Sequence, residues 1–176
     1  MRIIITGTPG TGKSSVAREL AEVLGVEFVD VTKIGSKIKN KKTEVDIEKF
    51  KKLVVKELKG KKNFIIENHL LCEFSLPADF IFVLRTRPDV LKKRLGKRNY
   101  EKKKLEANLI AEMLDYCTQK TLANYRGKIF ELETAGRTVK ETVSRICRIV
   151  RNKKLKGDKV DYSRYLTEYT KQETMQ

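Results

Sequence analysis

Gly7-Thr8-Pro9-Gly10-Thr11-Gly12-Lys13-Ser14 carries the residue types a polyphosphate site needs, at the spacing G-x-x-x-x-G-K-[ST]. Glycines permit the backbone angles that turn successive N–H groups inward around an anion. Lys13 supplies a mobile charge for the outer phosphates. The Ser14 hydroxyl can ligate the magnesium ion that accompanies them. The loop opens straight into a helix, whose unpaired N–H groups and positive dipole end favour the same anion.

The flanking segments suit that role. Arg2 to Thr6 reads as a buried central strand, and Val16, Leu20 and Leu24 mark one face of the helix that follows, with Gly25 as its cap. A second strand is predicted at Val26 to Val29, and residues 30–43 are polar and lysine-rich. Asp46 is expected to cap a helix with Phe50, Val54 and Leu58 inward. Asn63 to Ile66 is the third predicted strand, with Glu67-Asn68-His69 at the end where open parallel sheets bind ligands. Phe80 to Leu84 is the fourth, followed by a helix start with Thr86 as cap and Pro88 in its first turn. Leu105, Leu109, Met113 and Cys117 predict one long helix running towards Gly127. Ile129 to Leu132 is the fifth strand, and Thr138 with Glu141 forms a capping box. Five strands alternating with helices predict an α/β fold: a parallel sheet flanked by helices. Residues 151–176 change character to a basic linker and a short helix with Tyr162, Tyr165, Leu166 and Tyr169 as a stripe. Docking on the domain's own surface, binding a partner, stacking on RNA and disorder are the options for that stripe.

The chain of 176 residues suits one domain, and its net charge of +16 speaks to partners more than to fold. RNA or another polyanion is one reading, and a merely solvated lysine surface is the other. Cys72, Cys117 and Cys147 are odd in number and contain no C-x-x-C pair, so neither a zinc site nor a disulfide framework is expected. Core cysteines point to a reducing, cytoplasmic compartment. No apolar run reaches the length of a membrane span, and no signal or transit peptide is expected.

Among phosphate-loop proteins, no D-x-x-G or N-K-x-D guanine-reading set is evident, and the short chain disfavours motors. After the fourth strand comes Arg94-Leu95-Gly96-Lys97-Arg98, where nucleoside monophosphate kinases begin the lid over ATP. Phosphoryl transfer depends on positioning and charge stabilisation, which guanidinium forks supply well. A closing lid also excludes competing water.

On these pieces the chain resembles the small adenylate kinase and ATPase family of archaea and the eukaryotic nucleus, a family linked to small-subunit ribosome maturation. The matching segments are Ile5 to Ser15, Phe82-Val83-Leu84-Arg85-Thr86, Arg94-Leu95, Arg98-Asn99-Tyr100 and Asn108 to Glu112. The resemblance covers roughly residues 1–150, with a short monophosphate-binding segment at about 30–46, a short zinc-free lid at about 97–107, and residues 151–176 as a tail. It implies ATP contacts at Gly10, Gly12, Lys13, Ser14 and Ser15, a lid contact at Arg98 and a nucleotide contact near Arg137. It implies catalysis by Lys13, Arg94 and Arg98 with Mg2+ and ATP, and a role for His69 in ATP hydrolysis. ATP, ADP and AMP would be the small-molecule partners, with a small-subunit ribosomal protein and rRNA as macromolecular ones and a nuclear location in a eukaryote.

Two departures bear on these expectations. The family's Asp-x-His is here Glu67-Asn68-His69, with Glu67 still able to hold magnesium through a water. The family's acceptor arginine falls at Ser36, which leaves Lys37 and Arg85 as candidates for the acceptor phosphate. Three functions remain open: transfer from ATP to AMP, a nucleotide-switched assembly factor with incidental kinase activity, and a kinase for another acceptor such as CMP, a nucleoside or shikimate.

Overall fold

The computed structural model describes residues 1–32, 34, 45–98 and 100–174. The strands are β1 (Arg2–Thr6), β2 (Phe28–Val29), β3 (Phe64–Glu67), β4 (Phe80–Arg85) and β5 (Lys128–Glu133). They form one parallel sheet in the order β2-β3-β1-β4-β5. The helices are α1 (Lys13–Leu24), α2 (Ile47–Glu57), α3 (Pro88–Gly96), α4 (Lys102–Met113), α5 (Tyr116–Asn124), α6 (Val139–Arg151) and α7 (Ser163–Thr174). A 3-10 turn, His69–Cys72, follows β3.

Successive strand residues face opposite sides of the sheet. Ile3, Ile5, Phe82 and Leu84 meet Val16 and Leu20 of α1 and Val143 and Ile146 of α6 on one side. Ile4, Ile66 and Ile81 meet Phe50 and Val54 of α2 and Leu71 on the other. Both faces are covered, which is why β1 and β4 read as unbroken apolar runs. The chain lays β2 and β3 on one flank of β1, then crosses to β4 on the other flank. The crevice at that reversal is where such sheets hold ligands.

Several sequence expectations are met and others are displaced. Asp46 caps α2 through the Lys49 backbone N–H, and Thr138 with Glu141 forms the expected capping box on α6. Thr86 does not cap α3: Arg87 holds the cap position, and the Thr86 hydroxyl pairs with that of Thr134 at 2.6 Å. The long helix expected from Leu105 towards Gly127 is two, α4 and α5. The break falls at Asp115, whose φ of 54° is left-handed. Aspartate tolerates that conformation better than most residues, and Arg85 holds its carboxylate there. Because α4 begins at Lys102, much of the stretch expected as a lid is helical, and the connection from α3 is short.

The stripe on α7 docks on the protein itself. Tyr165, Leu166 and Tyr169 pack against Leu91 and Leu95 of α3 and Leu109 and Met113 of α4. Tyr162 precedes that helix and is buried, with its ring 5.0 Å from the Arg85 guanidinium carbon and its hydroxyl on Glu133. All three cysteines are buried and free.

Candidate functional site

The turn between β1 and α1 is built by close approach. Gly7 has φ of +132°, and a Cβ there would lie 2.2 Å from the Leu84 carbonyl oxygen. Gly10, at φ +96°, leaves no room for a Cβ either, since Leu91 and Leu95 would stand 2.8 and 2.9 Å from it. The loop is thereby seated against β4 and α3. Gly12 takes the left-handed cap of α1, and Lys13 begins that helix.

The Lys13 side chain folds back into the turn, where Nζ donates to the Thr8 carbonyl at 3.0 Å. Burial pulls its ammonium below the ordinary lysine value, and the Glu67 carboxylate opposes that shift. The Thr11 hydroxyl shares the same carbonyl at 2.9 Å. Register places Glu67 beside Ile5, level with the turn. There its Oε1 accepts the Ser14 hydroxyl at 2.8 Å. Two hard oxygens, completed by phosphate oxygens and water, are a donor set that magnesium takes. Ser14 and Glu67 therefore fit that ion. Among the described residues, no group of three or more His, Cys, Asp or Glu side chains could hold a metal by itself.

A cavity of about 510 Å³ opens over the turn, lined by Gly10, Gly12, Lys13, Ser14, Ser15, Glu67, His69, Arg98, Tyr100, Lys104 and Asn108. His69 is exposed at the start of the 3-10 turn, on the wall shared with Asn68. A second cavity of about 330 Å³ lies beyond the turn, lined by Gly10, Thr11, Gly12, Ser15, Arg94, Arg98, Thr134 and Arg137. Arg98 borders both.

Arg94 is anchored in the second cavity: it donates to Thr86 Oγ1 at 3.2 Å, Thr134 Oγ1 at 3.1 Å and the Thr134 carbonyl at 3.1 Å. Its pKa is lowered by burial and, to a lesser extent, by Arg98. Arg137 pairs with Asp158 and donates to the Glu133 carbonyl at 2.9 Å. The turn residues, Arg94, Arg98, Arg137, Glu67 and His69 thus converge on one crevice.

Arg85 does not join them, which corrects the expectation that it could take an acceptor phosphate. It is 1% exposed, and its guanidinium is spent on Glu112, Asp115 and Glu131, with Thr118 and the Glu112 carbonyl completing its bonds. Lys37, the other acceptor candidate, lies outside the described residues, as does Asn99. Sequence reasoning assigned no role to Glu112, Thr134 or Asp158. Only Glu112 left a trace, as the end of the Asn108 to Glu112 segment; the other two are recruited by contacts distant in the chain.

A family model described as an AAA domain matches residues 3–115. A Methanocaldococcus jannaschii protein named "Putative adenylate kinase" is 35% identical over 96% of this chain and 97% of its own length. A Pyrococcus furiosus protein of the same name is 36% identical over 85% of this chain and 84% of its own. Among solved structures, a deoxyadenosine kinase from M. mycoides with bound dATP superposes with TM-score 0.60 at 19% identity, covering 86% of this chain and all of that one. A shikimate kinase from Acinetobacter baumannii in complex with shikimate gives TM-score 0.65 at 19% identity, covering 88% of this chain and 95% of the other. Those two likenesses establish the P-loop kinase fold. With its turn, crevice and relatives taken together, this chain belongs to the archaeal family of adenylate kinase-like P-loop proteins.

Proposed function

We propose that the protein transfers the terminal phosphoryl group of ATP to AMP, giving two ADP. The observation that carries this reading is the pair of cavities meeting over one phosphate-binding turn, with Arg98 on the border of both. A hydrolase needs room for one nucleotide and a water, whereas a kinase needs room for two substrates in line. In this reading the smaller cavity takes the ATP base and ribose beside Arg137 and Thr142. The larger takes the acceptor beside Tyr100, Lys104 and Asn108.

The chain's own groups then divide the work. Lys13 leaves the Thr8 carbonyl and turns to the outer phosphates of ATP. Arg98, at the junction, stabilises charge on the transferring group, and Arg94 fixes the opposite wall. Ser14 and Glu67 would hold magnesium, which, when bound, neutralises charge on the phosphates. His69 stands where it can orient a water, which gives the slower ATPase side reaction when no acceptor is bound.

Product analysis tests this directly. ADP formed from ATP far faster with AMP than without it, at two ADP per AMP consumed, supports the reading. Equal rates with CMP, a nucleoside or shikimate in place of AMP overturn the choice of acceptor.

A second reading, a nucleotide-switched factor acting on RNA or a ribosomal protein in small-subunit assembly, has one observation of its own. Besides the net charge of +16, Arg2, Lys52, Lys56, Lys59 and Lys61 surround a groove at the opposite end of the sheet from the crevice. Phosphate release without acceptor, stimulated by RNA and lost steeply with salt, would favour this reading over the first.

A further inference from the structure

Glu112 stands at the far end of α4, the helix that follows Arg98 and Tyr100, and it is 1% exposed. Its two oxygens serve different parts of the molecule. Oε1 accepts Arg85 Nε at 3.0 Å and the Thr86 backbone N–H at 2.9 Å, at the end of β4. Oε2 accepts the Thr8 hydroxyl in the phosphate-binding turn. Thr8 is itself 1% exposed, and its carbonyl is the one that holds Lys13.

A buried carboxylate is a poor choice for packing alone, because an apolar side chain of similar volume would be as stable or more so. Here the charge is fully satisfied, and its bonds run from the lid side of the molecule to the peptide that parks the catalytic lysine. α4 contributes Lys104 and Asn108 to the larger cavity, about two turns and one turn before Glu112 on the same helix. A shift of that helix as the cavity fills would reach Thr8 through Glu112 without passing through solvent.

We propose that Glu112 is a positioning residue: through Thr8 it makes the phosphate-binding turn and the helix after the lid act as one unit, setting the peptide from which Lys13 is released. The proposal rests on the phosphotransfer reading above.

A double-mutant cycle of Thr8→Val and Glu112→Gln tests it, with kcat and KM for ATP measured per folded molecule and Tm recorded alongside. Each single change is expected to lower kcat/KM about tenfold or more, the scale of a lost bond to a charged group. The double variant should be less impaired than the product of the two single losses, since Glu112→Gln takes the charge out of the bond that Thr8→Val deletes while also weakening the one to Arg85. Thr8→Ser, which keeps the hydroxyl, should recover activity to within about twofold of wild type on the same scale. Multiplicative losses, or a Thr8→Val protein with lowered Tm and unchanged kcat/KM, would overturn the proposal and leave Glu112 a packing residue. If Glu112→Gln does not fold, Thr8→Val against Thr8→Ser decides alone. Lys13→Ala in the same assay keeps the two levels apart. Unchanged activity there sinks the phosphotransfer reading, while lost activity with an unaffected Thr8→Val sinks only the role of Glu112.

Discussion

Ser14 and Glu67, 53 positions apart in the chain, are joined by a hydrogen bond of 2.8 Å across the floor of the larger cavity. One comes from the first turn of α1 and the other from the last residue of β3. Parallel pairing of β1 with β3 brings them level. Serine would supply a direct oxygen to a bound magnesium ion, and glutamate, a methylene longer than aspartate, would reach it through a water.

Loss of either oxygen should therefore appear first as a metal effect. Ser14→Ala and Glu67→Gln are each expected to raise the magnesium concentration for half-maximal rate about 10- to 100-fold, the range for changes around a bound metal. The rate should largely recover at saturating magnesium in Glu67→Gln, whose contact would be indirect. A magnesium titration of the two variants against wild type checks this. Unchanged titrations would place the metal elsewhere.

Lys13 lies in a place that disfavours its charged form. Its pKa is lowered in the folded state by burial, so below the ordinary lysine value the unfolded chain binds more protons than the folded one. The sign follows: this group weakens the fold at neutral pH, and its contribution improves as pH rises from the lowered folded value towards 10.5, the unfolded one. Lys13→Met is expected to raise the Tm of the nucleotide-free protein by about 2–4 °C, roughly 1 kcal/mol for a chain of this size. It should also flatten the alkaline rise in stability. The same change should abolish the stabilisation that magnesium and ATP confer on wild type. Thermal melts across pH, with and without nucleotide, report all three.

Arg85 separates a structural role from a ligand role. Its three carboxylate partners come from α4, the α4–α5 break and β5. Arg85→Met would leave Glu112 buried and short of its cation. A loss of about 3–5 kcal/mol is expected, as for other broken buried ion pairs. Urea denaturation measures it, and the folded fraction should keep the acceptor KM of wild type. A raised acceptor KM with undiminished stability would restore Arg85 to the phosphate.

The fold was legible where local signals agree with the tertiary outcome. Gly7 to Ser14, the paired faces of β1 and β4, Asp46 and the Thr138 capping box each state their structure in a few adjacent residues. Arg85 was misread because a strand-end arginine near a phosphate site and a core arginine look alike until Glu112, Asp115 and Glu131 are brought around it. Asp115 gave no warning of a helix break, since neither glycine nor proline stands there and the left-handed turn is held by a distant guanidinium. Thr86 has the right type and place for a cap, but Thr134 from β5's exit competes for its hydroxyl. In each case the deciding partner is a residue tens of positions away, which periodicity and spacing do not register.

The last helix bears on the crevice through packing. Tyr165, Leu166 and Tyr169 of α7 cover Leu91, Leu95, Leu109 and Met113. Leu91 and Leu95 are also the side chains against which Gly10 is seated. One apolar cluster thus supports α3 and α4 from outside and the phosphate-binding turn from inside. Leu166→Ala should cost about 1–2 kcal/mol, less than a fully buried leucine because the site is only half-buried. Removal of residues 163–176 should cost more and expose the cluster to an apolar dye. If the cluster seats the turn, KM for ATP rises in both variants at temperatures well below their Tm, while the Gly10-distant groove around Lys56 is unaffected. A truncated protein with lowered Tm but unchanged KM would mean that α7 stabilises α3 and α4 without reaching the phosphate site.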